Sequence, residues 1–282
     1  MARHLSARPA WPEGYQSAVA LAFDLDGPTG DAMLNKSLKD NMRYFTEGSY
    51  GPFRALPRLL DLLKKYQLSA TFFIPTWVLE HWPERCERII EDGHEVAYHG
   101  HRHEVFINCN SEQQLEIMEH SKAIFKQRLG VQPVGFRTPS GDWNSDTAKL
   151  LFEFGVQYSS SMRGDDRPYF HLNEGKVGLV EIPGRWDIDD YSALALFELP
   201  SFPSGGDRIS PYQQVASNWC HEFEGYHQQG LCWTTILHPK VSAKPGRLKI
   251  LDTLFKQIRS HDDVWVSHCS QIAKWWRSNY DN

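Results

Sequence analysis

The chain is 282 residues long, 41% hydrophobic, with a formal net charge of −5 and an isoelectric point near 6.2. That is enough apolar material for an α/β barrel built as one domain, and without a basic stripe a nucleic-acid partner is not expected. No run is long enough to span a membrane, and the opening stretch MARHLSARPAWPEGYQ has no apolar signal core, so a soluble cytoplasmic protein is expected.

In chain order, SAVALAFD (17–24) reads as a buried strand that runs into the acidic pair Asp24 and Asp26. FRALPRLLDLLKKYQ has leucines at helical spacing, and SATFFIP follows as a strand. PERCERIIEDG is a helix opened by Pro83 and closed by Gly93. HEVAYHG is a strand, and SEQQLEIMEHSKAIFKQRLG is a helix that opens on Ser111 and Gln114 at capping-box spacing and ends at Gly130. PVGFRTP is a short strand, SDTAKLLFEFG a helix, and VQYSSS and KVGLVEIPG are strands. PYQQVASNWCHEFEGYHQQG is a long helix followed by strand LCWTTILHP. Helix GRLKILDTLFKQIRSH, strand DVWVSHC and helix SQIAKWWRSN complete the chain. Repeated strand–helix units mean a mostly parallel sheet with right-handed crossovers. With this many units, an α/β barrel is favoured over an open sheet. The segment 163–210, rich in Asp, Pro and Gly, is expected to form loops over one barrel end and set specificity. The five cysteines (Cys86, Cys109, Cys220, Cys232, Cys269) are odd in number and irregular in spacing, which fits reduced, mostly buried thiols.

Parallel barrels place their chemistry at the C-terminal ends of the strands. Four such ends here carry polar groups: Asp24 and Asp26, the HGHRHE stretch with His99, His101 and His103, Arg137, and His238. Two histidines and a carboxylate are a common donor set for catalytic zinc. Such a metal activates water and polarises a carbonyl. A second aspartate can take the proton of the water, and a separate histidine can protonate a leaving amine. An arginine beside an aspartate favours its charged form. Each feature has a plainer reading alone: a helix cap for an aspartate, a core histidine, a salt bridge for Arg137, a capped strand end for His238. Their convergence on one barrel face makes the functional case.

FDLDG also looks like the nucleophile motif of haloacid-dehalogenase-type phosphatases, with Asp24 as the phosphate acceptor and Asp26 as the acid. That reading needs a later acidic pair after an apolar strand, whereas GDD at 164–166 follows none, and it leaves both histidine motifs and Arg137 without work.

The full set resembles the polysaccharide deacetylase family, the NodB-homology domain of carbohydrate esterase family four, over residues 15–277. The family carries ordered motifs on a distorted (β/α) barrel. FDLDG matches its Asp-x-Asp motif, HGHRH its pair of histidines four apart, RTPSG its Arg-x-Pro-x-Gly turn and ILHP its Leu-His strand end. The resemblance implies Asp24 as general base and Asp26, His99 and His103 as metal ligands. It implies Arg137 as the residue that orients Asp24, the backbone N–H of Ser140 as oxyanion donor and His238 as general acid. EIPGRWDIDD stands in place of the remaining motif without its usual Asp-x-x-Asp-Trp form, leaving Asp189 or Asp190 to hold or tune a catalytic neighbour. The implied metal is Zn²⁺, with Co²⁺, Ni²⁺ or Mn²⁺ as alternatives.

HGHRHE, DDRPY, LVEIPGRWDIDD and HPKVSAKPGR are similar to the cytoplasmic branch, which contains peptidoglycan deacetylase-like and allantoinase or cyclic-imide hydrolase-like proteins. Members of that branch form tetramers, so a homo-oligomer is expected. The leading expectation is removal of N-acetyl groups from amino-sugar polymers or oligomers. The alternative is opening of a small cyclic amide in a pocket roofed by Asp166, Tyr169 and Trp186. A catalytically dead barrel that uses its ten tryptophans to hold glycans is a third reading, opposed by the filled catalytic positions.

Overall fold

The computed structural model describes residues 2–6, 9–30, 42–195 and 209–281. The strands are β1 (Ala2–Arg3), β2 (Ser17–Ala20), β3 (Ala22–Asp24), β4 (Thr71–Ile74), β5 (Glu95–Tyr98), β6 (Gly135–Phe136), β7 (Tyr158–Ser159), β8 (Tyr169–Asn173), β9 (Lys176–Glu181), β10 (Cys232–Thr234) and β11 (Val264–Val266). They form an eight-stranded sheet in the order β1-β8-β9-β7-β6-β5-β4-β3 and a three-stranded sheet in the order β10-β2-β11. All pairings are parallel except β1 with β8 and β8 with β9. The fold is thus α/β with mostly parallel strands.

β2 and β3 are one extended run that changes partners at Leu21. Its first half pairs with β10 and β11; its second half pairs with β4 and bridges to Leu237. Because side chains alternate along a strand, this run sorts its residues into two cores. Val19, Leu21 and Phe23 join the larger cluster, which includes Leu59, Leu63, Phe125 and Phe255 from the flanking helices. Ala18, Ala20 and Ala22 join a second cluster with Phe73, Ala97, Tyr158, Val180, Cys232 and Trp276. Asp24 continues the second set.

The same alternation runs through the other site strands. His99 follows Ala97 by two residues and His238 follows Cys232 by six, while Val96, Phe136 and Trp233 pack in the larger cluster. The alanines leave room for large rings beside them. A Cβ on Gly135 would fall 2.0 Å from Tyr158 Cζ, so only glycine admits that ring.

The helices follow their sequence signals closely. Pro83–Glu91 starts on its proline, and Ser111–Leu129 ends at Gly130 with φ +68°. The N-cap of the latter is Asn110, one residue before the expected Ser111. Asn110 Oδ1 accepts from Gln113 N and Gln113 Oε1 accepts from Asn110 N, both at 2.9 Å. Gln114 instead turns inward and donates to Phe106 O and Cys109 O. The helical stretch before Lys65 is split by a five-residue π segment, Gly51–Ala55, ahead of helix Leu56–Lys65.

The segment expected to be loops holds more structure than its composition suggested. It contains the antiparallel hairpin β8–β9 and a short helix, Asp190–Leu194, while 196–208 lie outside the described residues. Among the described residues, no helix is long and apolar enough to cross a membrane.

Candidate active site

Asp24, Asp26, His99, His103, Arg137, Ser140 and His238 line one cavity of 340 Å³. Asp24 closes β3, His99 follows β5, Arg137 follows β6 and His238 follows β10 at the Leu237 bridge. The four strand ends named by the sequence therefore converge.

Asp26, His99 and His103 form a buried triad whose donor atoms all lie within 4.8 Å of one another. His99 Nε2 lies 3.4 Å from Asp26 Oδ1, and His103 Nε2 lies 3.8 Å from the same oxygen. His99 Nδ1–H donates to the Arg137 carbonyl at 2.8 Å, which fixes the ring and turns Nε2 toward the carboxylates. Among the described residues, Asp26 Oδ1 and His99 Nε2 are buried without a hydrogen-bond partner. Orphaned donor atoms of this kind are costly unless another group completes them, and a carboxylate with two imidazoles suits a divalent transition metal. The residues present fit such an ion.

The backbone is shaped around this triad. His103 adopts φ +60°, a left-handed value uncommon for a residue with a side chain. Its loop is tied by Glu104, whose carboxylate accepts from His101 N and Arg102 N at 2.9 Å each. Gly30 approaches so closely that a Cβ there would meet Asp26 Oδ2 at 2.8 Å.

Burial alone would raise the Asp26 carboxyl. The charge interactions with His103, His238 and Lys240, together with the polar contact from His99, outweigh it and hold Asp26 well below the usual carboxylate range. Burial, with His99 and Lys240 nearby, brings His103 down to about 4 despite Asp26 and Asp24. A neutral imidazole is the form that ligates metal.

Asp24 and His238 flank the triad. Arg137 Nη1 donates to Asp24 Oδ1 at 2.8 Å, while its Nε and Nη2 donate to Ser160 O and Oγ, both at 2.7 Å. The guanidinium also lies 4.3 Å from the Phe73 ring centroid. His238 Nε2 lies 3.8 Å from Asp24 Oδ2 and 3.7 Å from Asp26 Oδ2. On its other side, His238 Nδ1–H donates to Asp190 Oδ1 at 2.7 Å and its backbone N donates to Asp190 Oδ2 at 2.7 Å. Ser242 Oγ also donates to Asp190 Oδ2. Burial opposes a charge on His238, but Asp190, with Asp26 and Asp24 beyond it, outweighs burial and pushes the imidazole up to about 10.

Of the two acidic residues left open by the sequence, Asp190 is thus the one that holds His238. Asp189 lines the cavity and caps the following helix by accepting from Tyr191 N at 2.9 Å; burial, with Asp190 and Asp24 near, pushes it up to about 7 against the pull of His238. Asp189, Asp190 and His238 form a second close donor group, but Asp190 already accepts three hydrogen bonds, so both of its oxygens are engaged.

Ser140 sits in the RTPSG turn with φ +61° and lines the cavity. Trp186 reaches the cavity rim and is 56% exposed. The structure does not bring Asp166 and Tyr169 to this cavity. Asp166 accepts from Arg185 and from the Tyr226 hydroxyl at 2.9 Å each, and Tyr169 is buried under the His4 ring, centroids 4.7 Å apart. Arg163, Ser161 and Tyr191 also line the cavity and are not marked by any sequence motif.

The family model described as polysaccharide deacetylase matches residues 47–159, which include His99, His103 and Arg137. A peptidoglycan deacetylase from Helicobacter pylori is 26% identical over 275 residues, 88% of this chain and 92% of that protein. The crystal structure of a candidate polysaccharide deacetylase from Mycobacterium smegmatis is 32% identical, superposes with a TM-score of 0.90, and covers 98% of this chain and 95% of that one. The structure of Puue allantoinase is 20% identical with a TM-score of 0.83 over 98% of this chain and 96% of that one, a likeness of fold.

Proposed function

The chain belongs to the polysaccharide deacetylase family, and from that premise we propose that it is a metal-dependent amidohydrolase that removes N-acetyl groups from amino-sugar polymers or oligomers. The observation that carries this reading is the buried triad Asp26, His99 and His103, set between an Arg137-held Asp24 and an Asp190-held His238. A divalent cation held by the triad, zinc on its donor set, supplies Lewis-acid polarisation and a more acidic water.

The remaining work falls to the chain. Asp24 accepts a proton from the water that attacks the acyl carbon, and Arg137 keeps that carboxylate aimed at the cavity. The N–H of Ser140 is the donor for the oxygen on which charge develops. His238 then gives its Nε2 proton to the departing nitrogen as the C–N bond breaks, leaving acetate and a free amine. Asp190 keeps Nδ1 protonated and the ring in register. In this reading residues 1–282 form one catalytic domain, and the protein works as a cytoplasmic homo-oligomer; the five unpaired thiols suit a reducing compartment.

A second reading keeps the machinery and changes the substrate to a small cyclic amide. The size of the cavity, 340 Å³, favours it, since that is near the lower end for ligand sites. Mass spectrometry of metal-loaded protein with N-acetylated amino-sugar oligomers and with cyclic ureides and imides separates the two. Loss of one acetyl group is the expected result, and gain of one water would replace the deacetylase with a ring-opening enzyme. Chelation and His99→Ala should each abolish the reaction and lower metal content. Turnover that survives both would overturn the metal-dependent reading.

A further inference from the structure

Arg163 lines the same cavity as Asp24 and His238 but has no part in the chemistry above. Its loop is firmly built. The buried Glu181 carboxylate at the end of β9 accepts from Ser161 N at 2.5 Å and Met162 N at 2.9 Å, and His171 holds its other oxygen at 2.8 Å. The guanidinium lies over the Trp186 ring, 3.9 Å from its centroid. Nη1 donates to Gly141 O and Ser161 O, both at 3.3 Å.

The other edge is unused. Among the described residues, Nε is buried with no hydrogen-bond partner, no hydrogen bond reaches Nη2, and no carboxylate oxygen lies within 4.0 Å of the group. Gly141, at φ +76°, makes room for this end of the guanidinium, since a Cβ there would fall 2.9 Å from Nη2. Asp189, Glu181 and Asp142 offset its burial from a distance, but a partly desolvated cation whose Nε–Nη2 edge has no direct partner among the described residues remains unfavourable. An anion that pairs with it gains more than a neutral acceptor would, because charge-assisted bonds to a guanidinium are the stronger ones. Nε and Nη2 share the side of the guanidinium that grips a carboxylate with two parallel hydrogen bonds. Trp186 offers an apolar face to whatever part of the ligand lies beside it.

The geometry points to Arg163 and Trp186 as a specificity clamp for a carboxylate carried by the substrate close to the acylated nitrogen. This rests on the amidohydrolase reading above and narrows its substrate to acidic N-acyl amino sugars and their like.

The test compares an N-acetylated amino sugar bearing a lactyl ether carboxylate with its own methyl ester. Both are assayed with metal-loaded full chain, wild type and Arg163→Gln. Wild type should favour the acid by at least about tenfold in kcat/KM, mainly through KM, and added salt should erode that preference. In Arg163→Gln the ratio should fall to about one. Equal rates for acid and ester in wild type, or an acid preference that Arg163→Gln leaves intact, would overturn the clamp. Calorimetric binding of both compounds to Asp24→Asn, with and without Arg163→Gln, separates this failure from failure of the hydrolase. A binding preference for the acid that depends on Arg163, with no turnover in wild type, would keep the clamp and remove the deacetylase. No binding preference would remove the clamp whatever the turnover.

Discussion

Replacing Asp190 by asparagine isolates the proton inventory of His238. Asp190 is fully buried and accepts from His238 Nδ1, His238 N and Ser242 Oγ, so the amide fills the same space. Its single carbonyl oxygen can serve the His238 N–H and Ser242 pair, which leaves the amide N–H₂ facing Nδ1. The imidazole then carries its one proton on Nε2 and resists taking a second. In the unaltered protein, burial works against the charge on His238 and Asp190 is the foremost group that outweighs it. Removing an opposite charge at contact distance lowers a pKa by about 1–3 pH units, or about 1.4–4 kcal/mol.

The sign follows from the role of the group. A general acid works only while protonated, so activity is lost as pH rises through the pKa. The cation proposed at Asp26 would offset the pull of that carboxylate and bring the alkaline limb below 10. The separation between unaltered and variant limbs is still governed by Asp190. The assay is kcat/KM for acetyl release from pH 6 to 10, with metal content and thermal midpoint measured in parallel. Asp190→Asn should move the alkaline limb down by about 1–3 pH units, with little loss at pH 6 and a growing deficit above it. A deficit of the same size at every pH, with metal content and midpoint intact, would refute the idea that Asp190 holds the proton on His238.

Arg137→Met should leave the Asp24 carboxylate buried without its partner, at a cost of about 3–5 kcal/mol in a urea titration; a cost below about 1 kcal/mol would mean that solvent reaches Asp24 in the folded state. His94, away from the active cavity, has both ring nitrogens buried without partners among the described residues, and burial, with His268 near, brings it down to about 4. Its folded pKa lies below the unfolded value of about 6.5, so its contribution is complete above that value and is lost as pH falls toward 4, up to about 3 kcal/mol. His94→Leu should flatten the decline in urea midpoint over that window, and an unchanged pH slope would show that His94 does not carry it.

Much of the site could be read from the chain because strand periodicity and chemistry coincide. Asp24 belongs to the face shared by Ala18, Ala20 and Ala22, and the apolar run before it fixes which way it points. His99 and His238 follow the same logic on β5 and β10. The sequence does not choose between Asp189 and Asp190, because one residue at a helix start decides which carboxylate caps and which faces His238. Asp166 and Tyr169 belong to a segment whose composition reads as loops over the cavity. The β8–β9 hairpin instead carries Tyr169 toward His4, and Asp166 is held by Arg185 and Tyr226. Arg163 was invisible because nothing local to SMRGDD shows that Glu181, twenty residues on, will tether its loop.

The run from Ser17 to Asp24, split between two sheets, also sets a timetable for the molecule. Its first half needs β10 and β11, and Asp24 N donates to Leu237 O at 2.8 Å. Asp26, His99, His103 and Arg137 all lie in the first 137 residues, whereas His238 lies a hundred residues further on. During synthesis, Asp26, His99 and His103 emerge well before the strands that flank Ser17–Ala20 and before His238. Contacts of that sequence span form slowly, so the run from Ser17 to Asp24 is complete only once β10 and β11 have joined its first half. The assembled cavity therefore waits on the last parallel pairings, which bring His238 to the residues made before it.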